Sequence, residues 1–232
     1  MREIVLDTET TGLDPEAGHR LVEIGGVELI NHVATGRTYH QYINPERDVP
    51  QEAYDVHGLS AGFLADKPIF SDVAAAFVDF IGDAKLVIHN ASFDMKFLNA
   101  ELGWVGAESI PWARAVDTLD MARRRFPGAQ NSLDALCRRF GVDNSEREKH
   151  GALLDSELLA EVYLELMGGR QPDLTLAPRE AAGRDAGSGG DWRVPPRPRP
   201  LADRLTPEEA AAHAAFVAEL GADVLWPTAA AE

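Results

Sequence analysis

One cysteine, Cys137, stands in the 232 residues. A lone thiol forbids an internal disulfide and a cysteine-rich zinc module, and leaves a reducing cytosol as the natural setting. Positive charge is also short: 22 Lys and Arg face 38 Asp and Glu, for a formal net charge of −16. Holding nucleic acid by coating its phosphates with cations needs the opposite balance, so that mode is excluded, whereas binding through metal ions is not. No apolar run approaches the roughly 20 residues of a membrane helix, and Glu3, Asp7 and Glu9 lie where a signal peptide would be apolar. A soluble, cytoplasmic protein with no membrane partner is expected. What the sequence does have is 45% hydrophobic residues, enough to bury the core of one large domain with appendages.

The appendage begins near Gly168-Gly169. Residues 181–200 run AAGRDAGSGGDWRVPPRPRP, with too few aliphatic side chains to offset the entropy of ordering them, and read as a flexible linker with an extended proline-rich end. Beyond it, Thr206-Pro207-Glu208-Glu209 has the cap, first-turn proline and early acids of a helix running to about Leu220 and stopping at Gly221. The predicted organisation is a domain over residues 1–170, a linker segment over 171–205 and a tail over 206–232 whose short helix needs a docking partner for stability. In the domain, strands are predicted at Ile4-Val5-Leu6, from Leu21 to Ile30 and from Thr38 to Ile43, forming an antiparallel meander. A helical pattern around Val73 to Ile81, a strand at Leu86-Val87-Ile88, a helix from about Ser92 to Leu102 and three further helices ending near Met167 follow. The fold class is therefore α/β, a mixed sheet flanked by helices.

Three groups of acids draw attention. In Leu6-Asp7-Thr8-Glu9-Thr10-Thr11-Gly12, residues two apart on a strand point to one side, so Asp7 and Glu9 project together, either solvated in a frayed end or sharing a cation. Asp155 falls on one helical face with Leu159, Val162 and Leu166, where an acid is costly unless paired or metal-bound. His150 precedes it in the loop entering that helix, either as a surface or capping residue or as a proton acceptor beside a metal. Asp94 follows an apolar strand and sits in the first turn of a helix capped by Ser92, a position the helix dipole alone would explain. Asp117 has the same character and is read as a structural N-cap. Four carboxylates and one histidine from separated segments suit two hard cations and phosphoryl chemistry.

Asp7-x-Glu9, Asp94 and His150-x-x-x-x-Asp155 resemble the three motifs of the DEDDh branch of 3′–5′ exonucleases over nearly all of residues 1–170. That resemblance implies a ribonuclease H-like fold. Glu52-Ala53-Tyr54-Asp55-Val56-His57-Gly58, Asn131-Ser132-Leu133-Asp134-Ala135-Leu136-Cys137 and His150-Gly151-Ala152-Leu153-Leu154-Asp155 are similar, more narrowly, to the epsilon proofreading subunits of bacterial DNA polymerase III. The family implies Asp7, Glu9, Asp94 and Asp155 as ligands of two Mg²⁺ or Mn²⁺ ions and His150 as general base. It also implies Glu52 and His57 as contacts to a DNA 3′-terminal nucleotide, which Asp7, Glu9 and Asp155 would also approach through the metals. Cys137 lies at helical spacing with Leu133, Leu136 and Phe140 and is expected to be buried.

Two partner segments follow from the same resemblance. Gln171-Pro172-Asp173-Leu174-Thr175-Leu176 is similar to short peptides that bind a sliding clamp, with an ordinary exit loop as the alternative. The tail is similar to the segment by which epsilon subunits anchor to the polymerase (alpha) subunit, with Phe216, Leu220 and Trp226 as apolar anchors. Arg123-Arg124-Arg125 and Arg138-Arg139, the basic clusters, read as a solvated face or as phosphate contacts. An RNA-trimming exonuclease of the same branch remains a competing reading, since the 2′-OH is read by pocket details. A catalytically silent adaptor between clamp and polymerase would not need all five catalytic positions filled. Two divalent cations on the four carboxylates would change the net charge from −16 to −12, so weak, salt-sensitive binding of free DNA is expected.

Overall fold

A computed structural model describes residues 1–145, 147, 149–169 and 206–219. One five-stranded sheet, in the order β3-β2-β1-β4-β5, organises residues 1–169. Its strands are β1 (Arg2–Thr10), β2 (Leu21–Ile30), β3 (Val33–Tyr42), β4 (Lys85–Ile88) and β5 (Ala115–Asp117). The first three pair antiparallel, and β4 and β5 run parallel to β1. The mixed sheet and the meander expected from the sequence are both present.

Strand alternation divides the core into two layers. Ile4 and Leu6 of β1 point to one side and join Phe70 and Phe77 of α3 (Phe70–Ile81) and Phe97 and Leu98 of α4 (Ala91–Trp104). Val5 points to the other side, with Val87, and packs against α5 (Thr118–Arg125), α6 (Leu133–Phe140) and α7 (Ala152–Leu166) through Ala122, Leu136, Cys137 and Leu159. Cys137 is fully buried as expected, and burial pushes its thiol up to about 11, which makes it inert packing.

Several boundaries differ from the expectation. Strand β3 begins at Val33 rather than Thr38 because Asn31 and His32 both adopt positive φ, 52° and 66°, and close a two-residue hairpin in which Ile30 pairs with Val33. Without a glycine, that turn carries little local signal. Short helices α1 (Gln51–His57) and α2 (Ala61–Leu64) and the three-residue β5 are too brief to show a period. Helix α4 starts at Ala91, and Ser92 is not its cap: Asn90 takes the cap position with φ 66°, while Asp117 accepts from the Asn90 and Ala91 N–H groups at 3.2 Å each. Asp117 also accepts from Leu119 and Asp120 at 2.9 and 3.3 Å, capping α5. It is structural, as read, and secures two helix starts.

The arginine clusters are largely structural too. Arg125 donates to the Glu165 and Leu166 carbonyls at 2.6 and 2.9 Å, closing the C-terminal end of α7. Arg124 pairs with Asp120 one turn earlier, and Arg139 reaches the Gln130 carbonyl at 3.3 Å.

The chain divides into two compact units, 1–174 and 175–232. In the second, α8 (Pro207–Glu219) opens with the expected cap: Thr206 Oγ1 accepts from the Glu209 N–H at 3.2 Å, and the Glu209 carboxylate accepts from the Thr206 N–H at 2.9 Å. Phe216 is 61% exposed on this helix. Gln171 to Leu176, Leu220 and Trp226 lie outside the described residues.

Gly25 in β2 decides where α7 sits. It pairs with Asp7 across the ladder, and a Cβ placed on it would lie 2.2 Å from the Ala152 carbonyl carbon and 2.3 Å from the Leu153 nitrogen. Only a residue without a side chain lets the first turn of α7 approach the sheet this closely. Ser156 Oγ then bonds the Gly25 carbonyl at 3.1 Å and locks the contact. Gly25→Ala must move backbone and is expected to cost about 2 kcal/mol or more in denaturant unfolding. A midpoint within a few tenths of a molar of wild type would show that α7 can shift freely.

Candidate active site

The last registered pair between β1 and β4 is Val5 with Val87, so Asp7 to Thr10 run on past the end of β4. At such a carboxyl edge the neighbouring connections turn away and leave a crevice. Asp7 and Glu9 share the α7 side of β1 and lie within the regular strand, not in a frayed turn. Helix α7 supplies Asp155 from its first turn, with Leu159, Val162 and Leu166 buried on the same face as read from the sequence. Asp94 comes from the first turn of α4, where its Oδ1 accepts from Thr8 Oγ1 at 2.7 Å. His150 lies in the loop before α7, as expected, and its N–H donates to the Val56 carbonyl of α1 at 3.2 Å.

Glu9, Asp94 and Asp155 are all buried, at 8%, 3% and 2% exposure, while Asp7 is partly open. Burial raises the pKa of Asp7 well above the carboxylate range, and the charges of Asp94, Glu9 and Asp155 push it further. Burial, then Asp155, Glu23 and Asp94, pushes Glu9 up to about 8. Asp94 is pushed up to about 7 by burial despite its hydrogen bond from Thr8. Asp155 alone of the four goes down. Burial works against its charge, but the proximity of His150 and the hydrogen bonds and charge of Arg147 outweigh that. The set is thus short of positive charge, and its oxygens suit a hard divalent cation. Among the described residues, ligand atoms of Glu9, His150 and Asp155 lie within 4.8 Å of one another. Asp7 and Asp94 fall outside that tight group but are electrostatically bound to it.

Two connected depressions meet at the carboxylates. One, of about 600 Å³, is also lined by Leu13, Phe93, Glu52 and His57. Glu52 is exposed and His57 is buried; the His57 Nδ1 accepts from the Leu59 N–H at 2.9 Å, leaving Nε2 beside the Thr10 backbone without a partner in hydrogen-bonding geometry. Burial lowers the His57 pKa, so the ring is neutral and one nitrogen is unspent. The other depression, of about 810 Å³, runs toward α6 past Asn90, Arg123, Asn131 and Ser132. Arg123 is thus the member of the basic clusters that reaches the cleft.

Three residues were not singled out in the sequence. Arg147 stands in a short run of charged residues, yet its side chain is 7% exposed and bonded to Asp155. Asp134, which also binds Arg147, drew notice only as part of the motif Asn131 to Cys137. Glu23 is 3% exposed, opposite Glu9 on β2, and held by His40 Nε2 at 2.7 Å. Its signal was visible: an acid inside the apolar stretch Leu21 to Ile30.

Comparison with known proteins agrees with this geometry. Residues 4–163 match the model of the Exonuclease family, RNase_T. The chain is 59% identical over 184 residues to a DNA polymerase III subunit epsilon of Rickettsia conorii, covering 78% of this chain and 80% of that one. It is 45% identical to the same subunit of Salmonella typhimurium, covering 97% of each. Among solved structures, the nuclease domain of 3′hExo, a DEDDh family member bound to rAMP, has a TM-score of 0.62 at 21% identity, covering 72% of this chain and 91% of that one, which speaks to the fold.

The raised acids set a pH dependence. Because Glu9 and Asp94 titrate near 8 and 7 in the folded chain but near 4 unfolded, the folded state holds extra protons between those values. Without divalent cation, stability should therefore fall as pH rises from about 4 to about 8 and level off above that. Thermal melts in chelator should give a lower Tm at pH 8.5 than at pH 6, with the loss recovered on adding Mg²⁺; an equal or higher Tm at pH 8.5 contradicts the electrostatics.

Proposed function

The chain belongs to the DNA polymerase III epsilon subunit family of exonucleases, and from that premise we propose that it removes mismatched 3′-terminal nucleotides from DNA as the proofreading subunit of a replicative polymerase. The observation that carries the reading is the convergence of four carboxylates, three of them with pKa values raised by burial and by nearby acids, around His150 at the mouth of a cleft. Asp7, Glu9, Asp94 and Asp155 would hold two Mg²⁺ or Mn²⁺ ions. When bound, such ions neutralise the scissile phosphate and stabilise the attacking and leaving oxygens.

The chain's own residues do the rest. His150, half exposed, takes a proton from the attacking water. The water oxygen bonds to phosphorus as the bond to the 3′ oxygen of the preceding nucleotide breaks, releasing a nucleoside 5′-monophosphate. Glu52 and His57, which line the 600 Å³ depression, fit contacts to the terminal nucleotide, His57 with its free Nε2. A mismatched terminus enters such a pocket more cheaply than a paired one, by the few kcal/mol of unpairing.

The tail reading is of the same kind. Phe216, exposed on α8, with Leu220 and Trp226 beyond it, would anchor the polymerase subunit, and Gln171 to Leu176 would bind the clamp. Both grips compensate for an acidic chain that holds free DNA weakly.

Hydrolysis of a 3′-mismatched DNA primer and of a matched RNA, with and without Mg²⁺, tests the activity: Mg²⁺-dependent loss of the mismatched DNA end is expected, and faster RNA trimming would overturn the DNA reading. His150→Ala should lose about 10²- to 10⁴-fold in rate while still binding Mn²⁺ in calorimetry, whereas Asp155→Ala should lose the metal too. Full activity of His150→Ala removes the base assignment. Truncation after Gly190 should end co-purification with the polymerase subunit and spare nuclease activity, and Gln171→Ala with Leu174→Ala should end clamp binding. Retention of either partner refutes that part.

A further inference from the structure

Among the described residues, Arg147 is the cation seated on the carboxylate cluster. Its guanidinium forks onto Asp155, Nε to Oδ1 at 2.5 Å and Nη2 to Oδ2 at 2.7 Å. Nη1 reaches Asp134 Oδ1 at 2.7 Å, an oxygen that Asn144 Nδ2 also holds at 3.1 Å. The same Nη2 contacts His150 Nδ1 at 2.9 Å.

That last contact fixes a tautomer. An arginine N–H can only donate, so Nδ1 must be unprotonated and the single proton of the neutral ring sits on Nε2. In this form neither ring nitrogen has a lone pair free to accept a proton from water. Nδ1 has a second neighbour, Asp155 Oδ2 at 3.4 Å. A carboxylate only accepts, so facing Asp155 requires the proton on Nδ1 and leaves Nε2 as the base. The two contacts exclude each other, and the shorter one, to Arg147, is made here.

We propose that Arg147 is a positioning residue that stands in for the divalent cation: seated on Asp155, it holds His150 in the tautomer unable to act as a base, and its displacement by a cation lets Nδ1 turn to Asp155. Nε2 then gives its proton to solvent and Nδ1 takes one from solvent, so the ring stays neutral throughout. A cation held by Asp155 would compete with the guanidinium for that carboxylate. Arg147 lies in the connection between α6 and α7, outside any helix or strand, so its withdrawal need displace no element of the fold. Hydrolysis is thereby coupled to cation loading. The inference rests on the metal-centre reading above, and deepens it.

The test uses the full chain at pH 8. In ¹⁵N spectra of chelator-treated wild type, His150 should carry its proton on Nε2, and Mg²⁺ should move it to Nδ1. In calorimetric titration, Arg147→Met should bind Mn²⁺ about tenfold more tightly than wild type, and Arg147→Lys, which keeps the charge and loses the fork, should lie between. A proton on Nδ1 in chelated wild type overturns the proposal without any variant. So does Mn²⁺ affinity in Arg147→Met that is unchanged or weaker. If wild type itself binds no Mn²⁺, the metal-centre reading fails and takes this one with it, a result distinct from either of the others.

Discussion

Mutual repulsion among Asp7, Glu9, Asp94 and Asp155 is the constraint around which this domain is organised. Water would separate four such charges, and the fold does not permit it. Strand geometry puts Asp7 and Glu9 on one side of β1, the absent side chain of Gly25 lets the first turn of α7 bring Asp155 beside them, and Thr8 ties Asp94 to the same strand. The result is that burial first, and neighbouring charges after it, raise the pKa values of Asp7, Glu9 and Asp94, while Asp155 is held down by His150 and Arg147. A site strained in this way is preorganised for a cation: most of the cost of gathering the charges is already met by the packing of two hydrophobic layers.

The same constraint resolves an apparent conflict between charge and function. A chain of net charge −16 is a poor surface for DNA, and its arginines mostly serve the fold, closing α7 and pairing with neighbours along α5 and α6. Arg123 and Arg147 are the arginines that line the larger depression. An exonuclease built this way takes its local positive charge from bound ions, and the surrounding acidity disfavours unspecific binding. Grip on the primer then falls to whatever partners the chain assembles with, which suits a subunit of a polymerase.

Residues with no chemistry of their own turn out to shape the site. Asp117 secures the starts of both α4 and α5, and so fixes where Asp94 emerges. Glu23 lies behind Glu9 and is itself held by His40, so the charge that raises Glu9 is anchored by a hydrogen bond on the edge strand. Such supporting contacts determine the electrostatics as much as the four ligand candidates do.

Read by itself, the sequence determined the α/β class, the meander, the helices from residue 70 onward and the positions of Asp7, Glu9, Asp94, His150 and Asp155. Most of these follow from local rules, namely strand parity, helical periodicity and the cost of an acid on an apolar stripe, each needing only neighbours along the chain, whereas Asp94 and His150 take their place in the site from the resemblance to DEDDh exonucleases. The tertiary structure decided what depends on contacts between distant segments. The hairpin at Asn31-His32, the Asn90 cap completed by Asp117, the approach of α7 to Gly25 and the seat of Arg147 on Asp155 all join residues whose partners no periodicity reveals. Arg147 shows the limit best. In the sequence it is one charge among several between Ser145 and Lys149, and only packing, by removing water from its guanidinium and placing Asp134, His150 and Asp155 around it, turns it into part of the site.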